Sequence, residues 1–154
     1  QLDDLGLVPA LQYLAEAEYK RTGLQVELNI SGDRQRLNPL VETVLFRVAQ
    51  EGLTNVVRHA QCEQAKIELA FHPEQVLLQV SDEGVGIRDM PAEGLPRGWG
   101  LEGMRERVDS VEGDLQVSSP ASGGTIVAVR VPLQEGQITV VEEMPYGTDP
   151  PDVS

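Results

Sequence analysis

The chain is short of cysteine, histidine, positive charge and long apolar runs, and each shortage excludes something. Cys62 is the single cysteine among 154 residues, so no internal disulfide can form, which fits a reducing compartment. Twelve basic side chains stand against 25 acidic ones, a net charge of −13. A surface of that sign repels nucleic-acid phosphate, so no nucleic-acid partner is expected. It also disfavours a polyanionic small ligand unless a divalent cation or local donors offset the ligand's charge. No apolar run reaches membrane-spanning length and no signal-peptide pattern is present. The chain is therefore expected to be soluble and cytoplasmic without direct membrane contact of its own. There is no internal repeat.

What is present fits one domain, long enough to bury a core without disulfide or metal. The sequence starts at Gln1 rather than Met, in what reads as the end of another element, so it is expected to be a piece of a longer protein. Its central stretch is Leu40 to Ala60. At 100° per residue this puts Phe46, Ala49, Leu53, Val56 and Val57 on one side of a helix and Glu51, Asn55, Arg58 and His59 on the other. A carboxylate, an amide, a guanidinium and an imidazole on one face can converge on one object, although a merely solvated face reads the same way. Asn38-Pro39 starts this helix well, because Asn can cap and Pro needs no amide partner at the first position.

Around that helix the periods change. Leu7, Leu11, Leu14 and Ala15 repeat at helical spacing, with Asp3 or Asp4 as cap, Pro9 in the first turn and Gly23 as stop. Leu24, Val26, Leu28 and Ile30 alternate as in a half-buried strand ending at Ser31-Gly32-Asp33. Strands at 65–71 and 75–81 are joined by His72-Pro73-Glu74, a turn that leaves His72 exposed. From Glu83 to Gly100 there is no period, only glycines and prolines, and a loop of that length is a functional lid or disorder. Leu101, Met104, Val108 and Val111 restore the helical period to Gly113. Strands at 114–118 and 125–133 follow, joined by a glycine-rich hairpin. The tail from Gln134 is acidic and contains prolines; 138–141 can add a short edge strand, and the end is expected to be partly disordered. The order reads as an α+β sandwich, a mostly antiparallel sheet with helices on one face.

Three glycine segments bear on chemistry. Asp82-Glu83-Gly84-Val85-Gly86 ends a strand with an acceptor and leaves backbone open to a flat ligand. Gly98-Trp99-Gly100-Leu101 enters a helix with bare amides suited to phosphate. Gly123-Gly124-Thr125 brings a hydroxyl to the start of the last long strand. Each alone is equally an ordinary turn or hinge. There is no GxxxxGK[ST], which excludes a P-loop, and no GxGxxG opens a helix after a strand, so a Rossmann site is unsupported.

In this order the segments resemble the nucleotide-binding domain shared by gyrase-type ATPases, certain heat-shock chaperones, mismatch-repair ATPases and sensor histidine kinases. FRVAQEGLTNVVRHA is similar to the histidine-kinase N-box, SDEGVGI to the G1 box and GWGLEGMRERV to the G2 box. The leader LDDLGLVPAL and the short lid resemble kinases paired with LuxR-like response regulators. The resemblance implies a two-layer α/β sandwich of Bergerat type with a short ATP lid. It divides the chain into a junction with an upstream dimerisation segment (1–8), an ATP-binding catalytic domain (9–133) and the tail (134–154).

The resemblance also implies roles. Asn55 would help hold Mg²⁺, and Glu51 would be the catalytic residue, positioning water or metal and assisting the transferred proton. Arg58 and His59 would face the phosphates. Asp82 would accept from the adenine amino group, with Gly84 and Gly86 leaving room for the base, Ile87 in the same ATP-binding set and Thr125 supporting the contact. Gly98, Gly100 and Leu101 would close over the triphosphate. Gly52 departs from the family's alanine, and Trp99 is bulky for a lid. The phosphoacceptor histidine is missing: His59 and His72, the only histidines, lie in no matching context. ATP and Mg²⁺ are the implied cofactors. The implied partners are the parent protein's own dimerisation helices, forming a homodimer, and a response regulator; the parent is either membrane-anchored or soluble. A stand-alone anti-sigma-factor serine kinase of the same fold, or a degenerate domain that binds no nucleotide, are the alternatives.

Overall fold

Alternation of period two builds the sheet. In the computed structural model, which describes residues 2–88, 90–133 and 138–139, β3 (Gln64–Phe71), β4 (Gln75–Asp82) and β6 (Thr125–Pro132) pair antiparallel so that their apolar residues fall into rows. Ile67, Val80 and Val127 form one row, Leu69, Leu78 and Val129 the next, and Phe71, Val76 and Val131 the third. All nine side chains are buried, while their alternates Lys66, Glu68, Gln79 and Arg130 lie at least partly in solvent. A sheet patterned this way needs cover on one face only.

β5 (Asp114–Ser118) extends the sheet beside β6, and β1 (Gln25–Ser31) lies parallel to β3 at the other edge. The strand order is β1-β3-β4-β6-β5. The covering layer is α2 (Leu7–Thr22), α3 (Pro39–Asn55) and α4 (Leu101–Asp109). One core joins the layers, with Leu11, Leu45, Leu53 and Met104 at its centre. Each such side chain contributes about 1.5–3 kcal/mol by leaving water. The mostly antiparallel α+β sandwich expected from the sequence is the fold observed.

α3 is fixed at both ends of its length. Asn38 Oδ1 accepts from the Leu40 amide at 2.8 Å, with Pro39 at the first helical position. Glu42, 2 % exposed, accepts from the Leu37 amide at 3.0 Å and from Arg36 Nε at 3.2 Å. Near the far end, a Cβ on Gly52 would stand 3.1 Å from Val80 Cβ, so the missing methyl lets the helix lie close against β4.

Several expectations are corrected. The first helix begins at Leu7, after a separate turn, α1 (Leu2–Leu5), with Gly6 at its cap position. Gly6 breaks the two with a φ of 92°, and a Cβ there would meet Arg36 Nε at 2.8 Å. The central helix does not run to Ala60 with one periodicity: Val56–Ala60 is a π-helical turn. The wider turn changes the faces beyond Asn55, so Val57, expected in the core, is 40 % exposed. Asn55, still in regular helix and expected on the polar face, is 4 % exposed, its amide on the Trp99 carbonyl. Ile138–Thr139 (β7) pairs with an unforeseen strand β2 (Arg36–Leu37) and not with the main sheet. The rest of the tail, including the disorder expected there, lies outside the described residues.

Candidate functional site

The C-terminal end of α3, its π turn, the end of β4 and the start of β6 meet at one point. β4 and β6 are in register with Asp82 opposite Thr125, so the carboxylate that ends one strand and the hydroxyl that starts the other are neighbours. The loop after Asp82 is held by backbone. Val85 N donates to the Ala60 carbonyl and Gly124 N to the Gly84 carbonyl, each at 2.9 Å. This weave leaves no space for side chains. A Cβ on Gly84 would lie 2.1 Å from the Ala60 carbonyl oxygen, and one on Gly124 would lie 2.2 Å from the Asp82 oxygen.

Asp82 accepts from the Gly84 amide at 2.8 Å. Burial nevertheless pushes its carboxyl above the ordinary carboxylate range, against the opposing effect of backbone amide hydrogen bonds from Gly84 and Thr125. Thr125 is 5 % exposed, and its Oγ1 has no hydrogen-bond partner among the described residues. A buried hydroxyl without a partner costs about 1–3 kcal/mol, so a water or ligand atom that reached it would be favoured there.

Asn55 lies across the cleft, its Nδ2 donating to the Trp99 carbonyl at 2.8 Å. His59 is half-buried with its ring against the Trp99 indole, centroids 4.1 Å apart, and its Nε2 also has no partner among the described residues. Glu51 is half-buried and turned toward the start of α4, where a Cβ on Gly100 would lie 2.7 Å from Oε2. Gly100 caps α4, and Leu101 is buried behind it. Between Asn55, Asp82, Trp99 and Thr125 the remaining void is about 10 Å³. Outside it, the lid encloses an open cavity of about 1070 Å³ to which Ile87, Arg88, Arg97 and Gly98 contribute.

Of the residues singled out in the sequence, Asn55, Asp82 and Thr125 line one void. His59 packs on Trp99, which also lines it, Gly84 and Gly86 lie in the backbone weave beside Gly124, and Ile87, Gly100 and Leu101 line the lid cavity, with Glu51 against Gly100. Gly98 lies on the lid, with nothing within 4 Å of a Cβ built on it. Arg58 is exposed on the π turn, next to His59. One residue was missed. Ser119 Oγ accepts from the Ile87 amide at 2.9 Å and donates to the Gly124 carbonyl at 2.8 Å. A serine before proline in a hairpin reads as a turn residue, and nothing local marks this longer reach.

Among the described residues no three metal-binding side chains of the His, Cys, Asp and Glu types cluster, and no helix is long and apolar enough to cross a membrane.

Comparison with known proteins bears on the family and the fold. The family described as histidine kinase-, DNA gyrase B- and HSP90-like ATPase matches residues 40–135. The signal transduction histidine-protein kinase/phosphatase DegS of Bacillus subtilis is 36 % identical over 136 residues, which is 86 % of this chain and 35 % of DegS. The nitrate/nitrite sensor protein NarX of Escherichia coli is 33 % identical over 130 residues, 84 % of this chain and 21 % of NarX. Among solved structures, the Erythrobacter litoralis EL346 blue-light activated histidine kinase superposes with a TM-score of 0.63 at 26 % identity, covering 82 % of this chain and 42 % of that one. The catalytic domain of histidine kinase ThkA, at 18 % identity, shares the fold with a TM-score of 0.60 over 82 % of this chain and 90 % of its own. The chain spans about a third of the length of curated relatives such as DegS. With its motifs converging on one cleft and its fold matched across these proteins, the chain belongs to the histidine kinase-, DNA gyrase B- and HSP90-like ATPase family.

Proposed function

We propose that this chain is the ATP-binding catalytic domain of a two-component sensor histidine kinase. It binds Mg–ATP between α3 and the β4–β6 pair and donates the γ-phosphoryl group to a histidine on a dimerisation helix of the parent protein. A response-regulator aspartate takes the group onward. The observation that carries this reading is the pairing of a half-buried acceptor, Asp82, with the unpartnered buried hydroxyl of Thr125 on one side of a cleft built of side-chain-free backbone.

Asp82 accepts from the adenine amino group, a charge-assisted bond of about 1.5–3 kcal/mol, and Thr125 Oγ1 gains the partner it otherwise lacks. Gly84 and Gly86 admit the base, and Ile87 flanks it. Gly98, Gly100 and Leu101 carry the lid over the phosphates, where Arg88 and Arg97 offset charge. Asn55 and Glu51 offer oxygen donors one helical turn apart. That fits an ion which takes few protein ligands and fills its shell from phosphate and water, and the residues would hold Mg²⁺ there to neutralise phosphate charge. Glu51 is placed to assist the proton of the attacking imidazole. His59 stands at the phosphate side, and Arg58 stays at the rim. The compartment is read as cytoplasmic, where ATP and a response regulator are available.

Calorimetric titration of ATP, with and without Mg²⁺, tests this on the wild type, Asp82→Asn and Asn55→Ala. Asp82→Asn should lose most binding, and Asn55→Ala the Mg²⁺-dependent part. Three identical isotherms would overturn the assignment. In a second assay, label from ATP should reach a separate dimerisation segment carrying a histidine, and not His59 or His72 of this chain.

A further inference from the structure

The cleft is filled by the chain itself. Trp99 lies between two glycines with positive φ, Gly98 at 88° and Gly100 at 70°. Its indole packs on the edge of the hydrophobic core and against the His59 imidazole. Its carbonyl holds the Asn55 amide. With Trp99 in place, the void beside Asp82 and Thr125 is about 10 Å³, space for about one water molecule. A purine cannot enter such a space. Asn55, 4 % exposed, is equally out of reach of a hydrated ion.

We propose that Trp99 is an affinity-setting residue of the nucleotide site, acting as an intramolecular competitor: a bicyclic aromatic of purine size that occupies the cleft and must leave before Mg–ATP enters. The proposal rests on the reading of the cleft as an ATP site. The flanking glycines permit the exit, since Gly98 has nothing within 4 Å of a Cβ built on it and both tolerate backbone angles closed to other residues. Leaving costs one hydrogen bond and the indole's apolar contacts. The apparent dissociation constant for nucleotide is therefore the intrinsic one divided by the fraction of molecules with Trp99 withdrawn. Removing the indole raises that fraction without touching Asp82, Thr125 or Asn55. The opposite role, a tryptophan that stays and covers the bound base, predicts the opposite sign.

Trp99 is the only tryptophan, so its fluorescence reports its own position. The test titrates the 154-residue chain with Mg–ATP by calorimetry and by tryptophan emission, alongside Trp99→Ala and Trp99→Leu. The expected result is a red-shifted emission more open to acrylamide quenching on adding nucleotide, and tighter binding in both variants, by about tenfold if the withdrawn form is about a tenth of the population. Weaker or unchanged binding in the variants, with normal binding by the wild type, would overturn the proposal and leave the ATP site standing. So would an emission that becomes more shielded in the wild type, a readout that needs no substitution to fold. Failure of every form to bind Mg–ATP would remove the ATP reading and the competitor with it.

Discussion

The Ile87 amide donates to Ser119 Oγ at 2.9 Å, across 32 residues of sequence, and the same hydroxyl donates to the Gly124 carbonyl. One side chain thereby ties the loop after β4 to the hairpin before β6. Ser119→Ala is expected to lower stability by about 1–2 kcal/mol, because an amide and a carbonyl both lose a partner. Urea denaturation should show this as a lower midpoint with unchanged slope. Nucleotide affinity should fall as well, since the loop that frames Asp82 loosens, and Ser119→Thr should restore part of both.

Asp82 is expected to separate stability from binding. Its folded carboxyl titrates above the ordinary range because of burial. In the window between the ordinary and the raised value the folded chain binds more protons than the unfolded one, so stability falls as pH rises through that window and the loss is complete above it. Asp82→Asn removes this cost, and its thermal midpoint at neutral pH should equal or exceed the wild type's. ATP affinity should move the other way. It should drop about ten- to hundredfold in the variant, and in the wild type it should rise with pH through the same window as the acceptor ionises.

Thr125→Val keeps the shape and removes an unpartnered hydroxyl. Denaturation should show stability unchanged or raised by up to about 1 kcal/mol, while calorimetry shows weaker ATP binding. A variant that lost stability and kept its affinity would mean that the hydroxyl serves the fold.

Gly52→Ala sets two effects against each other. Alanine gains about 1 kcal/mol of helix propensity, but its Cβ would stand 3.1–3.2 Å from three carbons of Val80, one of them the Cβ fixed to the strand. Overpacking of that kind costs about 1–3 kcal/mol. The expected net is a loss of up to about 2 kcal/mol, and combining it with Val80→Ala should be less harmful than the sum of the two single changes. An additive double variant would show that the helix-to-sheet distance is set elsewhere.

Much of the fold was legible because each long element carries its own period. The alternation in 65–71 and 75–81 and the Asn38-Pro39 start of α3 are local facts with local causes. Strand pairing is not local. β1 lies parallel to β3 across the whole of α3, and no residue in β1 announces a partner. β2 has two residues, too few to show a period, and exists by pairing with β7. In the site, Asp82 and the glycines were visible as motifs, whereas Ser119 and the Trp99–Asn55 contact join distant segments and leave no spacing to read. The π turn escaped because a helical wheel assumes one angle per residue, and Val56–Ala60 uses a smaller one.

That turn also has a meaning in chain length. A π turn carries one residue more than α-helix over the same hydrogen-bonded span, so the end of this helix behaves as a one-residue insertion. Whereas a one-residue deletion in straight α-helix would rotate everything beyond by about 100°, deleting the exposed Val57 would let α-helix continue from Asn55 over the same span and leave the Ala60 carbonyl near the Val85 amide. Asn55 would keep its place, because the straight part of the helix, packed on the sheet, holds it.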